Sequence, residues 1–216
     1  MSVFWDEGRT NLENFCRDAR LPSTTYATPF NYLIVPKPEQ MLRASVGLAF
    51  RRARLQYIYS ILRGKDLDTG LFSEERREQQ FEKLKVAQAH ALDIQNWHEF
   101  IKALKQAGYN NESFISSNNN ILYSYVFFLI GRIDYKVDLY ELKKLIAKWF
   151  FMCSITGRYT GSPETAMEMD LAKFRSVDNA DDFVKELNSI IDSQLTSDFW
   201  EVTLPMDLST SSFRSP

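Results

Sequence analysis

The residues best suited to chemistry lie in one turn, Gly157-Arg158-Tyr159-Thr160-Gly161-Ser162-Pro163. Two glycines bracket an Arg-Tyr pair. Ser162-Pro163 has the composition of a helix start, with proline at the first helical position. The free N–H groups of such a start can hold an anion. Arg158, Tyr159 and Ser162 are therefore the candidate anion-binding residues. The competing reading bonds Arg158 to helix-end carbonyls, or to Glu168 or Asp170 on the helix that follows. A second candidate is a basic stripe. Arg43, Arg51, Arg52 and Arg54 crowd a helix predicted over 38–63. At about 100° per residue, Arg43 and Arg54 nearly eclipse, with Arg51 at the edge of the stripe. Gly47, between them, would admit a backbone or a phosphate closely. Arg43, Arg51 and Arg54 are thus the candidates for contact with nucleic-acid phosphates. A solvated face, or pairing with the highly polar helix 74–92, is the competing account.

Other chemistries lack their residues. His90 and His98 are the only two histidines, and their spacing does not put two ligands on one helical face. No metal site is expected. No Gly-x-Ser-x-Gly elbow exists, and Cys153 sits in the apolar run Phe150-Phe151-Met152-Cys153-Ser154-Ile155, where a small buried hydrophobe is the default. The expectation is a chain with no catalytic residues and no cofactor of its own.

The elements that must position these residues read as helices. Apolar residues at Leu42, Val46, Ala49, Phe50, Ala53, Tyr57 and Ile61 recur in steps of three and four. Ser73 caps helix 74–92, and Asn96 is expected to cap helix 97–107. Ile121–Ile130 is nearly all apolar and is assigned to helix, with a buried strand as the alternative. Asp138 opens a helix to Ile155 that is apolar almost all round and therefore belongs at the centre. Helices from Pro163 and from Asn179 or Asp178, and a short one near Asp198–Glu201, complete the set. Residues 1–37 read as irregular, with a short helix within 11–20, several prolines and a weak strand at Asn31–Val35. The prediction is an all-α orthogonal bundle of about seven or eight helices over 38–205, with an irregular N-terminal segment 1–37 and a tail 206–216.

Composition limits the partners. A net charge of −2 and a pI near 5.8 argue against a free-standing, non-specific nucleic-acid binder. Two cysteines make no disulfide framework and suit a reducing cytoplasm. The N-terminus has no secretory pattern, and the apolar run Trp149–Ile155 is too short for a bilayer, so no membrane partner is expected. The final residues Leu208–Pro216 complete no element, which reads as a piece of a longer chain.

Three segments carry a family likeness: Leu42-Arg43-Ala44-Ser45-Val46-Gly47-Leu48-Ala49-Phe50, Ile115-Ser116-Ser117-Asn118, and Trp149 through Thr165. The tail joins them, with Asp198-Phe199-Trp200, Leu204-Pro205 and Ser211-Ser212-Phe213-Arg214-Ser215-Pro216. From about residue 38 onward the chain resembles the middle of GmrSD-type proteins, which are bacterial defence proteins and typically modification-dependent restriction endonucleases. The resemblance implies a ParB-like N-terminal domain with nucleotide-driven DNA sensing and a C-terminal HNH nuclease domain. Neither signature is here; Arg77-Glu78-Gln79-Gln80 has suitable residues in the wrong order for the former. The family's Arg-Tyr-Ser/Thr-Gly-Ser pattern falls on Arg158–Ser162, and the acids after it on Glu168 and Asp170. The expected function is a non-catalytic helical link between those two missing domains, its partners, with contact to DNA backbone as an added expectation. The alternative is a helical protein–protein interaction module, anchored by aromatics such as Trp5, Trp97 or Trp200.

Overall fold

The structure, a computed structural model, describes residues 2–31, 33–115 and 117–210. Ser116 and the tail 211–216, quoted for the resemblance, lie outside the described residues, as does the side chain of Trp5. The fold is all-α. Its helices are α1 (Ser2–Asp18), α2 (Pro38–Phe50), α3 (Leu55–Leu62), α4 (Glu74–Ala91), α5 (Ile94–Gln106), α6 (Asn118–Leu129), α7 (Leu139–Ile155), α8 (Pro163–Lys173), α9 (Ala180–Gln194) and α10 (Leu204–Thr210). Among the described residues there is no strand, only an isolated bridge between Lys65 and Phe72.

The axis of the core is α6. Every residue from Asn120 to Leu129 is buried, so the apolar run folds as a helix and not as a strand. It packs against α2, α5 and α7. Trp97 and Phe100 of α5 meet Tyr125 and Phe128 of α6 with ring centroids 5.0–5.9 Å apart. Truncating a ring at such a site costs about 3–5 kcal/mol. Trp97, expected as an exposed anchor, is therefore a core residue. The expected central rod, α7, is less enclosed than α6: Lys144, Lys148 and Phe151 face outward, and Phe151 stacks over Trp200 at 6.5 Å.

Close approach of helices explains one glycine that the sequence left open to a phosphate. A Cβ on Gly47 would lie 2.8 Å from Val126 Cγ1, so the space beside Gly47 belongs to α6. Gly131 plays the same part in the π-helical turn after α6, where a Cβ would meet Leu142 and Phe183 at 2.6 and 2.8 Å.

Side-chain caps set several helix starts. Ser73, Asp138 and Asn179 accept backbone N–H groups at the starts of α4, α7 and α9. At α5 the cap is Asp93 rather than Asn96; Asn96 instead donates to the His90 carbonyl at the end of α4. The irregular segment expected over 1–37 is shorter, since α1 is helical from Ser2 to Asp18 and places Leu12, Phe15 and Cys16 in the core. Among the described residues of 31–35 no strand forms; the Asn31 side-chain oxygen takes the N–H groups of Leu33 and Ile34 at 3.0 and 2.8 Å. No described helix is long and apolar enough to cross a membrane.

Candidate functional site

The helix predicted over 38–63 is two helices. Arg51 adopts a left-handed conformation (φ 53°), ends α2, and sends the chain through Arg52-Ala53-Arg54 into α3. The eclipsed basic stripe therefore does not exist: Arg43 and Arg54 stand on different helical segments. The apolar spacing runs unbroken across the bend, so nothing in the local pattern announces it.

A carboxylate far away in sequence sits at the bend. Glu168 of α8 accepts the N–H groups of Ala53 and Arg54 at 2.7 and 3.2 Å, the Arg52 guanidinium at 2.8 Å and the Arg175 guanidinium at 2.6 Å. Arg54, the N-cap residue of α3, makes no side-chain cap hydrogen bond, and Glu168 instead receives its N–H and that of Ala53 just before the helix. Arg175 in turn donates from Nε and Nη2 to the Arg51 carbonyl at 3.2 and 3.0 Å. One helix end is thus capped by an anion and the adjoining one by a cation, as the helix dipoles favour. Burial alone would raise the Glu168 carboxyl. The hydrogen bonds from Ala53, Arg52, Arg54 and Arg175 outweigh it and hold that carboxyl below its ordinary value.

The second buried acid of α8 holds the Arg-Tyr turn. Asp170 receives Arg158 in a fork, Nε to Oδ2 at 2.9 Å and Nη2 to Oδ1 at 2.5 Å, and also the Tyr159 hydroxyl at 2.7 Å. The Arg158 guanidinium also lies over the Trp149 ring, 5.6 Å from its centroid. Burial opposes its charge, but the Asp170 contacts prevail and raise its pKa. Burial first, then the neighbouring acids, push the Tyr159 hydroxyl up. Ser162 precedes α8 with an exposed side chain that makes no cap hydrogen bond. Asp170 lies eight residues further on, about 12 Å along a helix rising 1.5 Å per residue. The structure thus brings Arg158 and Tyr159 together on Asp170 and leaves Ser162 apart.

Two of the three phosphate-contact candidates face acids through their side chains, and the third faces a hydroxyl. Arg43 pairs with Glu164 at 2.6 Å, Arg51 with Asp134 and the Leu48 carbonyl, and Arg54 with the Thr165 hydroxyl at 3.2 Å in addition to its backbone bond to Glu168. Their partners come from α8, the π turn and, for the Leu48 carbonyl, α2 itself, not from α4. Sequence reasoning missed Asp134 and Arg175 altogether, and no spacing signal marks them.

Beside the bend lies a cleft of about 590 Å³, walled by the end of α2, by α4, by Ile133–Tyr135 and by Phe174–Val177. His90 of α4 lines it; His98 is on α5. Among the described residues no cluster of three metal-ligating side chains forms. Cys16 and Cys153 are buried free thiols, and burial raises both, Cys16 to about 12. They are poor nucleophiles as placed.

The chain matches no family model, no curated protein and no solved structure.

Proposed function

We propose that this chain is a non-catalytic helical connector, the middle domain of a GmrSD-like, modification-dependent restriction protein of bacterial defence. It would stand in the cytoplasm between a nucleotide-hydrolysing sensing domain and an HNH nuclease, its partners in the parent chain, with no cofactor of its own. The observation that supports this reading most is the double cap at the α2–α3 bend. Both helix ends are held by side chains from α8 and its C-terminal turn, so a displacement of α8 is felt directly at the bend. Such a joint suits a part that passes on movement. Contact with DNA backbone would require Arg43 and Arg51 to leave their acids. We therefore expect weak, salt-sensitive binding, tightened by Glu164→Gln, which frees Arg43.

The test uses the purified chain with nucleoside triphosphates, with Mg²⁺, and with modified duplex DNA. The reading expects no turnover. Hydrolysis or cleavage that persists through purification and is lost in Arg158→Met would contradict it.

One observation favours the alternative, a protein–protein interaction module. Trp200, Val202, Met206 and Leu208 are exposed along the last turns, and α10 buries none of its residues. Serine at Met206 and Leu208 separates the readings. A pure interaction module loses its partner, whereas a connector keeps the α2–α3 bend and its coupling to α8.

A further inference from the structure

The cleft beside the bend has a composition that the connector role does not use. Its walls are largely apolar: Phe50 and Leu48 from α2, Val86 from α4, Ile133 from the π turn and Tyr135 just after it, and Phe174 and Val177 after α8. At about 590 Å³ it falls within the range of small-molecule sites, which pair an apolar wall with a few orienting polar groups. Those groups here are mostly cationic. Arg51, Lys83 and Arg175 line the cleft with His90, against a single acid, Asp134. Asp134 is already engaged by Arg51, and Arg175 by Glu168 and the Arg51 carbonyl. Lys83 differs. Among the described residues no carboxylate pairs with it; its ammonium sits over the Phe50 ring, 5.9 Å from the centroid. Lys83 and His90 lie seven positions apart on α4 with Val86 and Ala87 between them, which is the spacing of one helical face.

We propose that this cleft binds a small amphipathic anion, a flat apolar body carrying one carboxylate or phosphate head. The body lies between Phe50, Val86 and Tyr135. The head meets the Lys83 ammonium, with the His90 ring as a second polar neighbour. Lys83 is the distinguishing residue, because among the cations lining the cleft it is the one that no carboxylate of the described residues offsets. The site adjoins Arg51, so occupancy is sensed where α2 ends.

The experiment is calorimetric titration of the full chain with 1-naphthoate, 1-naphthyl phosphate, the neutral 1-naphthalenemethanol and inorganic phosphate. Both naphthyl anions are expected to bind saturably. The neutral alcohol should bind about tenfold more weakly, the size of one charge-assisted hydrogen bond. Lys83→Met should weaken the anions to a similar degree while leaving the melting temperature unchanged, and Lys144→Met, on α7, should change neither. Binding of one anion alone assigns the head as carboxylate or phosphate. Inorganic phosphate binding as tightly as naphthyl phosphate would overturn the proposal. So would alcohol and anions binding equally, indifference to Lys83→Met, or no saturable binding at millimolar concentration. A failure here leaves the connector reading untouched, since that rests on the caps and not on the cleft.

Discussion

Two turns of this molecule are pinned by carboxylates only two residues apart on α8, and they differ in how they are held. The Arg158–Tyr159 turn is fixed by Asp170, which receives one arginine fork and one hydroxyl. The α2–α3 bend is fixed by Glu168, which receives two backbone N–H groups and two guanidinium groups. Asp170 and its partners are neighbours in sequence and nearly dry; Glu168 reaches more than a hundred residues back and keeps a rim of solvent. The difference teaches where each acid acts. Asp170 balances a buried charge, so its loss strands Arg158. Glu168 substitutes for a helix cap, so its loss frees a joint.

The comparison can be broken most forcefully at Asp170. Asp170→Ala leaves the Arg158 guanidinium enclosed without its carboxylate, and the expected cost is about 3–5 kcal/mol, read from denaturant unfolding. Adding Arg158→Met should recover part of that loss; a double variant no better than Asp170→Ala would show that the fork carries no coupling.

Glu168→Gln keeps shape and removes charge. The expected loss is about 1.5–3 kcal/mol, the range for hydrogen bonds to a charged group. It should also alter the acid limb. The folded Glu168 carboxyl lies below its ordinary value of 4.5, so its stabilisation is present above that value and is lost as pH falls through the folded pKa. Unfolding free energy of Glu168→Gln should therefore depend less steeply on pH below about 4.5 than that of the natural chain. Parallel curves would remove the assigned role.

A third change sharpens the contrast by avoiding both acids. Gly47→Ala forces a Cβ against Val126, with an expected cost of about 1–3 kcal/mol that Val126→Ala should relieve. Because the strain is between α2 and α6, amide exchange at the bend should stay unchanged. The smallest effect belongs to the half-exposed Arg43–Glu164 pair. Glu164→Gln should cost no more than about 1 kcal/mol, and less at high salt.

The contrast also explains what the sequence disclosed. Local signals were legible: Ser73, Asp138 and Asn179 as caps, the apolar run of α6 as a helix, the all-α class, and Asp170 among the named alternatives for Arg158. Each depends on groups a few positions apart. The α2–α3 break was not legible, because the carboxylate that sits at it is Glu168, placed there by tertiary packing, while the apolar period continues through Ala53, Tyr57 and Ile61. The basic stripe failed for the same reason. Trp97 was misread as an anchor because its burial depends on Phe15 and Tyr125, contributed by two other helices.

The most direct measurement is amide hydrogen exchange at Ala53 and Arg54 in Glu168→Gln, set against the natural chain at equal global stability. Selective loss of protection at those two amides, with α6 unaffected, is the result this account predicts. Equal protection in both proteins would contradict it, because the bend would then hold without its distant carboxylate.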